Sequence, residues 1–197
     1  MNEDIPRIDP RRSALLVMDY QSGIVDRVPD PVGLLARAST AIATARAAAM
    51  HVGYVRVAFD EADYALVPDT NKTFAVSANA RLMRNDAPET AIHEAVAPEP
   101  GDIIVRKTRV GAFSTTDLDR RLGDRGIDTI VLAGISTSGV VLSTVRDGAD
   151  RDYRIYVLSD GCADPDPEVH DFLIRRVYPR QTYVVTVDEM AKLLQPA

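Results

Sequence analysis

Cysteine is nearly absent from this 197-residue chain: Cys162 stands alone, so no intrachain disulfide can form. Long apolar runs are missing too. No stretch approaches the roughly 20 residues that a membrane-spanning helix requires. The segment Met1-Asn2-Glu3-Asp4-Ile5-Pro6 has neither the basic start nor the apolar run of a secretory signal. A cytoplasmic protein is the expectation. Basic charge is in deficit, with 23 Lys+Arg against 29 Asp+Glu and a net charge of −6. The arginines are scattered among acids, as in Asp117-Leu118-Asp119-Arg120-Arg121. That is the pattern of a solvated helix face, whereas a nucleic-acid binder gathers its cations on one face. Neither a nucleic acid nor a membrane is expected as a partner. Internal repeats, low-complexity tracts and long linkers are lacking as well.

Hydrophobic residues make up 46% of the chain and charged residues 26%, the balance of an ordinary globular protein. A chain of this length buries roughly 70% of its unfolded surface, so a single domain over residues 1–197 is expected.

Short apolar, β-branched runs alternate with longer helical patterns, which reads as βα units around a parallel sheet. The first strand is Ala14-Leu15-Leu16-Val17-Met18, ending at Asp19. Its unbroken apolar run suits a strand covered on both faces. Asp30-Pro31 places an N-cap before a proline at the first helical position. The helix that follows is expected over Val32 to Met50, closed near Gly53. Strands are expected over Tyr54–Phe59, Ile103–Val105, Thr129–Ala133, Tyr153–Leu158 and Thr182–Thr186. Helices are expected around Phe74–Met83, after a capping box at Ser114-Thr115-Thr116-Asp117, over Ser138–Arg151, after Asp166-Pro167, and after Thr186-Val187-Asp188-Glu189. Six strands in this arrangement make a Rossmann-like, doubly wound parallel sheet of order 3-2-1-4-5-6 with helices on both faces.

Ligands of such sheets bind beyond the carboxyl ends of the strands. Three ends carry chemistry: Asp19, Lys107, and Gly134-Ile135-Ser136-Thr137-Ser138-Gly139-Val140. Asp19 alone is equally readable as a turn cap, and Lys107 alone as a solvated lysine. Together, opposite charges at neighbouring strand ends would tune each other's proton affinity. The glycine-bounded turn fits no standard nucleotide or hydrolase motif. Val140-Val141 stands where a phosphate loop needs lysine, no G-x-G-x-x-G follows a strand, and Ser138 stands where a serine elbow needs glycine. His51, His93 and His170 lie on or beside helical segments, so a serine hydrolase triad is not expected.

At Leu16-Val17-Met18-Asp19-Tyr20-Gln21, Lys107-Thr108-Arg109-Val110-Gly111-Ala112-Phe113 and Val131-Leu132-Ala133-Gly134-Ile135-Ser136-Thr137-Ser138-Gly139-Val140-Val141, the chain resembles the isochorismatase-like (cysteine hydrolase) family. The resemblance runs from Arg12 to Gln195. It implies that Asp19 is a general acid or base supported by Lys107, and that the family's nucleophilic cysteine falls on Val140. Valine offers no nucleophile, so amide hydrolysis through a thioester cannot run. Cys162 reads as a semi-buried thiol near the rim. The resemblance further implies a cis peptide between Ile135 and Ser136, and an oxyanion or carboxylate cradle from the N–H groups of Ser136 and Val140. Gln21, Phe74, Phe113 and Thr137 are expected to line the pocket, and Val140 to face it and not the core. Family amidases bind a metal through an aspartate and histidines after the second strand. Asp60-Glu61-Ala62-Asp63-Tyr64 has no histidine there, so no metal and no cofactor are expected. Members that hydrolyse isochorismate lack the cysteine too, and protonate an enol ether from the aspartate. Arg81 and Arg109 are candidates, by position, for holding the carboxylates of such a substrate. The expected partners are a small-molecule substrate and further copies of the chain, in a dimer or tetramer. A pseudoenzyme that binds without catalysing is the alternative.

Overall fold

The structure, a computed structural model, describes residues 5–195. Its centre is β1 (Ser13–Met18), whose six residues are all buried. Successive side chains of a strand face opposite ways, and here both faces are covered. Leu15 and Val17 pack into one apolar cluster, while Ala14, Leu16 and Met18 pack into another. A one-turn helix, α1 (Ser22–Val25), follows, and then α2 (Pro31–Ala47), where Asp30 accepts a hydrogen bond from Gly33 N at 3.0 Å.

α2 stops three residues short of the expected end, and β2 (His51–Val57) begins three residues earlier than expected. Ala49 turns the chain with φ 56°, so Gly53 does not end the helix; it lies inside β2, paired with Leu16. A Cβ at Gly53 would stand 2.9 Å from Leu16 Cδ2, so the glycine makes room for a core leucine.

After β2 come α3 (Glu61–Tyr64) and α4 (Ala75–Asn79), both short. The helix expected to reach Met83 ends early, because Arg81 and Met83 adopt φ of 51° and 60°. β3 (Ile103–Lys107) delivers Lys107 as its last residue. α5 (Leu118–Gly123) is not opened by a Ser114–Asp117 box. Leu118 N donates to Thr116 Oγ1 at 3.2 Å, and the Asp117 carboxylate is occupied by Arg120 and Arg121. β4 (Thr129–Ile135) leads through a π-helical turn at Thr137–Val141 into α6 (Leu142–Asp150). β5 (Arg154–Ala163) runs five residues past its expected end. α7 (Pro167–Phe172), β6 (Tyr183–Val185) and α8 (Val187–Leu194) complete the chain, α8 with the Thr186/Glu189 capping box.

Among the described residues the strands of the sheet pair in parallel, in the order β3-β2-β1-β4-β5-β6, as expected from the sequence. The carboxyl ends of β1, β3 and β4 therefore open on one side of the sheet. A third, smaller apolar cluster stands on that side, with Val57, Phe59, Tyr64 and Phe74. Among the described residues, no helix is long and apolar enough to cross a membrane.

Candidate active site

Asp19 is the first residue beyond β1 and turns out of the strand with φ 58°. That left-handed conformation is disfavoured for most side chains and best tolerated by Asn and Asp. Its N–H donates to Val55 O at 2.8 Å, which anchors the turn to β2. Lys107 reaches it from β3 across the end of β2, with Nζ 2.8 Å from Asp19 Oδ2. Both side chains are buried. The ammonium has three protons, and two further acceptors use the rest: Val110 O at 2.9 Å and Arg109 O at 3.2 Å.

The carboxylate is only half satisfied. Asp19 Oδ1 is buried without a hydrogen-bond partner among the described residues. An unpaired buried oxygen is costly, and protonation of the acid is the cheapest relief. Burial pushes the Asp19 carboxyl up to about 6 from an ordinary 3.8, while the charge and hydrogen bond of Lys107 pull it back. The acid thus sits near the midpoint of its titration at mildly acidic pH, able both to give a proton and to hold one.

The pair opens onto a cavity of about 210 Å³, with Ser136, Gly139 and Val140 on the β4 side and Phe74 opposite. The Ile135–Ser136 peptide is cis. Asp19, Lys107, Ser136, Val140 and Phe74, singled out from the sequence, therefore meet around one cavity. Val140 both lines it and packs into the apolar cluster beneath α6, being 2% exposed; the expectation that it would stand clear of the core is corrected. Its β-branched side chain, near the end of the π-helical turn Thr137–Val141, has apolar neighbours on its far side.

Three other expected lining residues lie elsewhere. Gln21 is a strut: its Nε2 donates to Val57 O at 2.9 Å and Thr90 O at 2.7 Å, and its Oε1 accepts from Val57 N at 2.7 Å. Removing these bonds strands two buried backbone groups, Val57 N–H and Val57 O, each at roughly 1–3 kcal/mol, while Thr90 O keeps its bond from Arg56 Nη1 at 2.9 Å. Gln21→Met is therefore expected to lower stability by about 2–4 kcal/mol in urea denaturation, as a structural and not a catalytic defect. Phe113 stacks on Tyr153 at 5.8 Å, under the Arg151 guanidinium, within the core. Thr137 is buried, its Oγ1 2.8 Å from His170 Nδ1 and its carbonyl accepting from Tyr178 Oη at 2.6 Å. Arg81 and Arg109 also stay away. Arg81 pairs with Glu61 and covers Tyr64, while Arg109 donates to Thr108 O and Leu66 O.

Cys162 is near the carboxyl edge of the sheet, beside Gly134, but it is buried and not semi-buried. It sits within β5, buried, with Sγ 3.7 Å from Leu132 O, and burial pushes its thiol up to about 12. The strand reaches this far because β5 bulges: five steps along the chain from Val157 to Cys162 face two from Leu132 to Gly134. Of the histidines, His51 opens β2 at the opposite end of the sheet, and His93 Nδ1 accepts from Ala95 N at 3.2 Å.

A larger groove of about 620 Å³ lies beside Asp60, Tyr64, Arg81 and Arg84. Its charges are already paired, Arg84 with Asp86 at 2.7 Å and Asp60 with Arg106 at 2.9 Å. The smaller cavity, which holds the unpartnered buried acid, is the better reaction site. Arg27, Ile24 and Pro165 also line it. No sequence pattern points to Arg27, because α1 is one turn long and has no periodicity to read. Among the described residues, no group of three or more His, Cys, Asp or Glu is placed to hold a metal ion.

The Isochorismatase domain model matches residues 13–189. The chain is 35% identical over 182 residues to ureidoacrylate amidohydrolase RutB of Methylobacterium radiotolerans, covering 82% of this chain and 70% of that protein. It is 33% identical over 192 residues to YecD of Escherichia coli O157:H7, an uncharacterized isochorismatase family protein, covering 95% and 98%. The solved structure of an isochorismatase family protein from Burkholderia thailandensis superimposes with a TM-score of 0.84 at 29% identity, covering 98% and 100%. The parallel six-stranded fold and these similarities over most of the chain agree: this protein belongs to the isochorismatase family of hydrolases.

Proposed function

We propose that this hydrolase cleaves a small enol ether such as isochorismate by acid catalysis from Asp19, with no covalent intermediate. The observation that carries the proposal is the unpartnered, buried Asp19 Oδ1 with its raised proton affinity, facing a cavity beside Lys107.

The steps balance as a hydrolysis. Asp19 gives its proton to the terminal carbon of the enol double bond, whose π electrons form the new C–H bond. Positive charge develops on the neighbouring carbon and is shared with the ether oxygen. A water adds to that carbon and returns a proton to the Asp19 carboxylate. The hemiketal then opens: its C–O bond breaks, the leaving alcohol takes the hydroxyl proton, and a ketone remains. Burial raises the proton affinity of Asp19, so a larger fraction carries the proton before reaction than an exposed carboxyl would. Lys107, 2.8 Å away, stabilises the carboxylate as the proton leaves, so the pair favours the transition state over the resting acid.

The name of the RutB relatives describes an amidohydrolase. For this chain the amide route is less well supported, because Val140 occupies the place where the resemblance puts a thiol and Cys162 does not line the cavity. Val140 equally favours a second reading, a binding protein that retained the fold and lost turnover. A screen with isochorismate, simple enol ethers and small amides separates the three.

Val140→Cys tests the assignment of that position independently of the substrate. The new thiol is expected to react with iodoacetamide in the folded protein near neutral pH, because Lys107 stands at the same cavity and favours a thiolate. Cys162 serves as the internal control, and wild type is expected to label only after unfolding. A variant that labels no faster than wild type means that residue 140 is sealed in the core.

A further inference from the structure

Ser136 stands at the N-cap of the helical stretch that runs through the Thr137–Val141 turn into α6. A serine there ordinarily turns its hydroxyl onto the N–H of the second or third helical residue, here Ser138 or Gly139. Ser136 does not: its side chain makes no capping bond. Both N–H groups are already taken. Ser138 N donates to Asp164 Oδ2 at 2.8 Å, and Gly139 N donates to Ser136 O at 3.2 Å. Asp164 follows directly on β5, is 6% exposed, and caps the helix from the neighbouring strand. Gly139 completes the arrangement. A Cβ on it would stand 2.7 Å from Ser136 Oγ, so the glycine leaves the hydroxyl its place. Ser136 thus lines the cavity with its hydroxyl relieved of the capping that its position ordinarily assigns.

We infer that the Ser136 hydroxyl holds the water that attacks the substrate, with Asp19 Oδ1 as that water's second partner. This rests on the direct water attack proposed above and adds the residue that delivers the water. A bound water needs two to four polar partners, and most of this cavity's walls are apolar, with Ile24, Val57, Phe74, Val110 and Ile135 among them. An attacking water must also face acceptors, because it gives up a proton as its oxygen bonds to carbon. The two cations offer none. Lys107 is an ammonium whose three protons are taken by Asp19 Oδ2, Arg109 O and Val110 O, and Arg27 is an exposed guanidinium with donors only. Asp19 Oδ1 has no partner among the described residues, and a hydroxyl accepts as well as donates. One water proton therefore points at Asp19 Oδ1 and the other at Ser136 Oγ, which leaves a lone pair for the carbon. As the C–O bond forms, the first proton passes to Asp19; Ser136 keeps its own proton throughout.

The test is a competition between nucleophiles. 2-Methoxyacrylate, once protonated at its terminal carbon, gives pyruvate and methanol when water adds. It gives 2,2-dimethoxypropanoate when added ¹³C-methanol adds instead and passes its hydroxyl proton to Asp19. The product ratio, read by NMR, does not depend on how much of the enzyme is folded, so a merely structural defect leaves it unmoved. Wild type is expected to favour water more strongly than the uncatalysed acid hydrolysis does. Ser136→Ala is expected to raise the methanol share roughly 2–10-fold, the factor equivalent to one hydrogen bond. Asp164→Ala is expected to raise it as well, because the freed Ser138 N–H draws the Ser136 hydroxyl back into the cap. Asp164→Asn keeps an acceptor oxygen and is expected to restore the wild-type ratio. An unchanged ratio in Ser136→Ala overturns the inference. Wild type inert toward 2-methoxyacrylate tells against the enol-ether reading, and the water site is then decided by crystals. A water within hydrogen-bond reach of Ser136 Oγ and Asp19 Oδ1 is expected in wild type and not in Ser136→Ala; a wild-type crystal without it overturns the inference.

Discussion

Asp19→Asn is expected to lower turnover of an enol-ether substrate about 10²–10⁴-fold, the range typical of losing a positioned general acid. Asparagine has nearly the same shape and keeps an oxygen facing Lys107 Nζ, so the loss isolates the proton and not the packing. The variant leaves a buried ammonium without a counter-ion, so rates are compared per folded molecule, with the folded fraction taken from urea denaturation. The wild-type profile carries the same information. A reaction that needs protonated Asp19 is expected to lose rate as pH rises through about 6. A base-catalysed reaction would gain rate over the same interval. Wild-type activity in Asp19→Asn would make the aspartate a turn cap, and the unpartnered oxygen would then have no catalytic meaning.

The second large effect is on stability. Lys107→Met is expected to destabilise the fold by about 3–5 kcal/mol at pH 8, because it strands a buried carboxylate and two carbonyls, Arg109 O and Val110 O. The sign with pH follows from proton affinities. Asp19 binds its proton more tightly folded, at about 6, than at its ordinary 3.8. Its protonation therefore favours the folded state at low pH, and that contribution fades as pH rises from about 4 to about 6. Without Lys107 nothing opposes the burial, so the folded proton affinity rises further and the interval extends above 6. The gap between wild type and Lys107→Met should be smaller at pH 5, where the acid is neutral, than at pH 8. Each further tenfold rise in that proton affinity widens the gap by about 1.4 kcal/mol. Denaturation midpoints that differ equally at both pH values would show that Asp19 does not feel Lys107.

How much of the molecule is legible in the sequence depends on the residue. β1 is readable because it is buried on both faces, and burial on both faces demands an unbroken apolar run. Asp19 and Lys107 are readable because charged residues directly after such runs fall at the ligand-binding edge of the sheet. Gly53 misleads because glycine ends helices more often than it makes room for a leucine on the next strand. The length of β5 is hidden because Ser159-Asp160-Gly161 looks like a loop, whereas it is the bulge through which the strand continues to Cys162. Gln21 and Thr137 lie next to site residues in the chain, yet they point into backbone and helix contacts that no linear pattern encodes. Arg27 reaches the cavity only through the path of an irregular loop, so only the folded chain brings it there.

The central claim is that Asp19 is a proton donor held near its titration midpoint, and its own titration tests that most directly. In protein with ¹³C-labelled aspartate carboxyls, assigned by comparison with Asp19→Asn, one resonance should titrate near pH 6 and vanish in the variant. If the Asp19 resonance instead titrates at or below about pH 4, the carboxylate is ionised throughout the working range, and acid catalysis from this residue is contradicted.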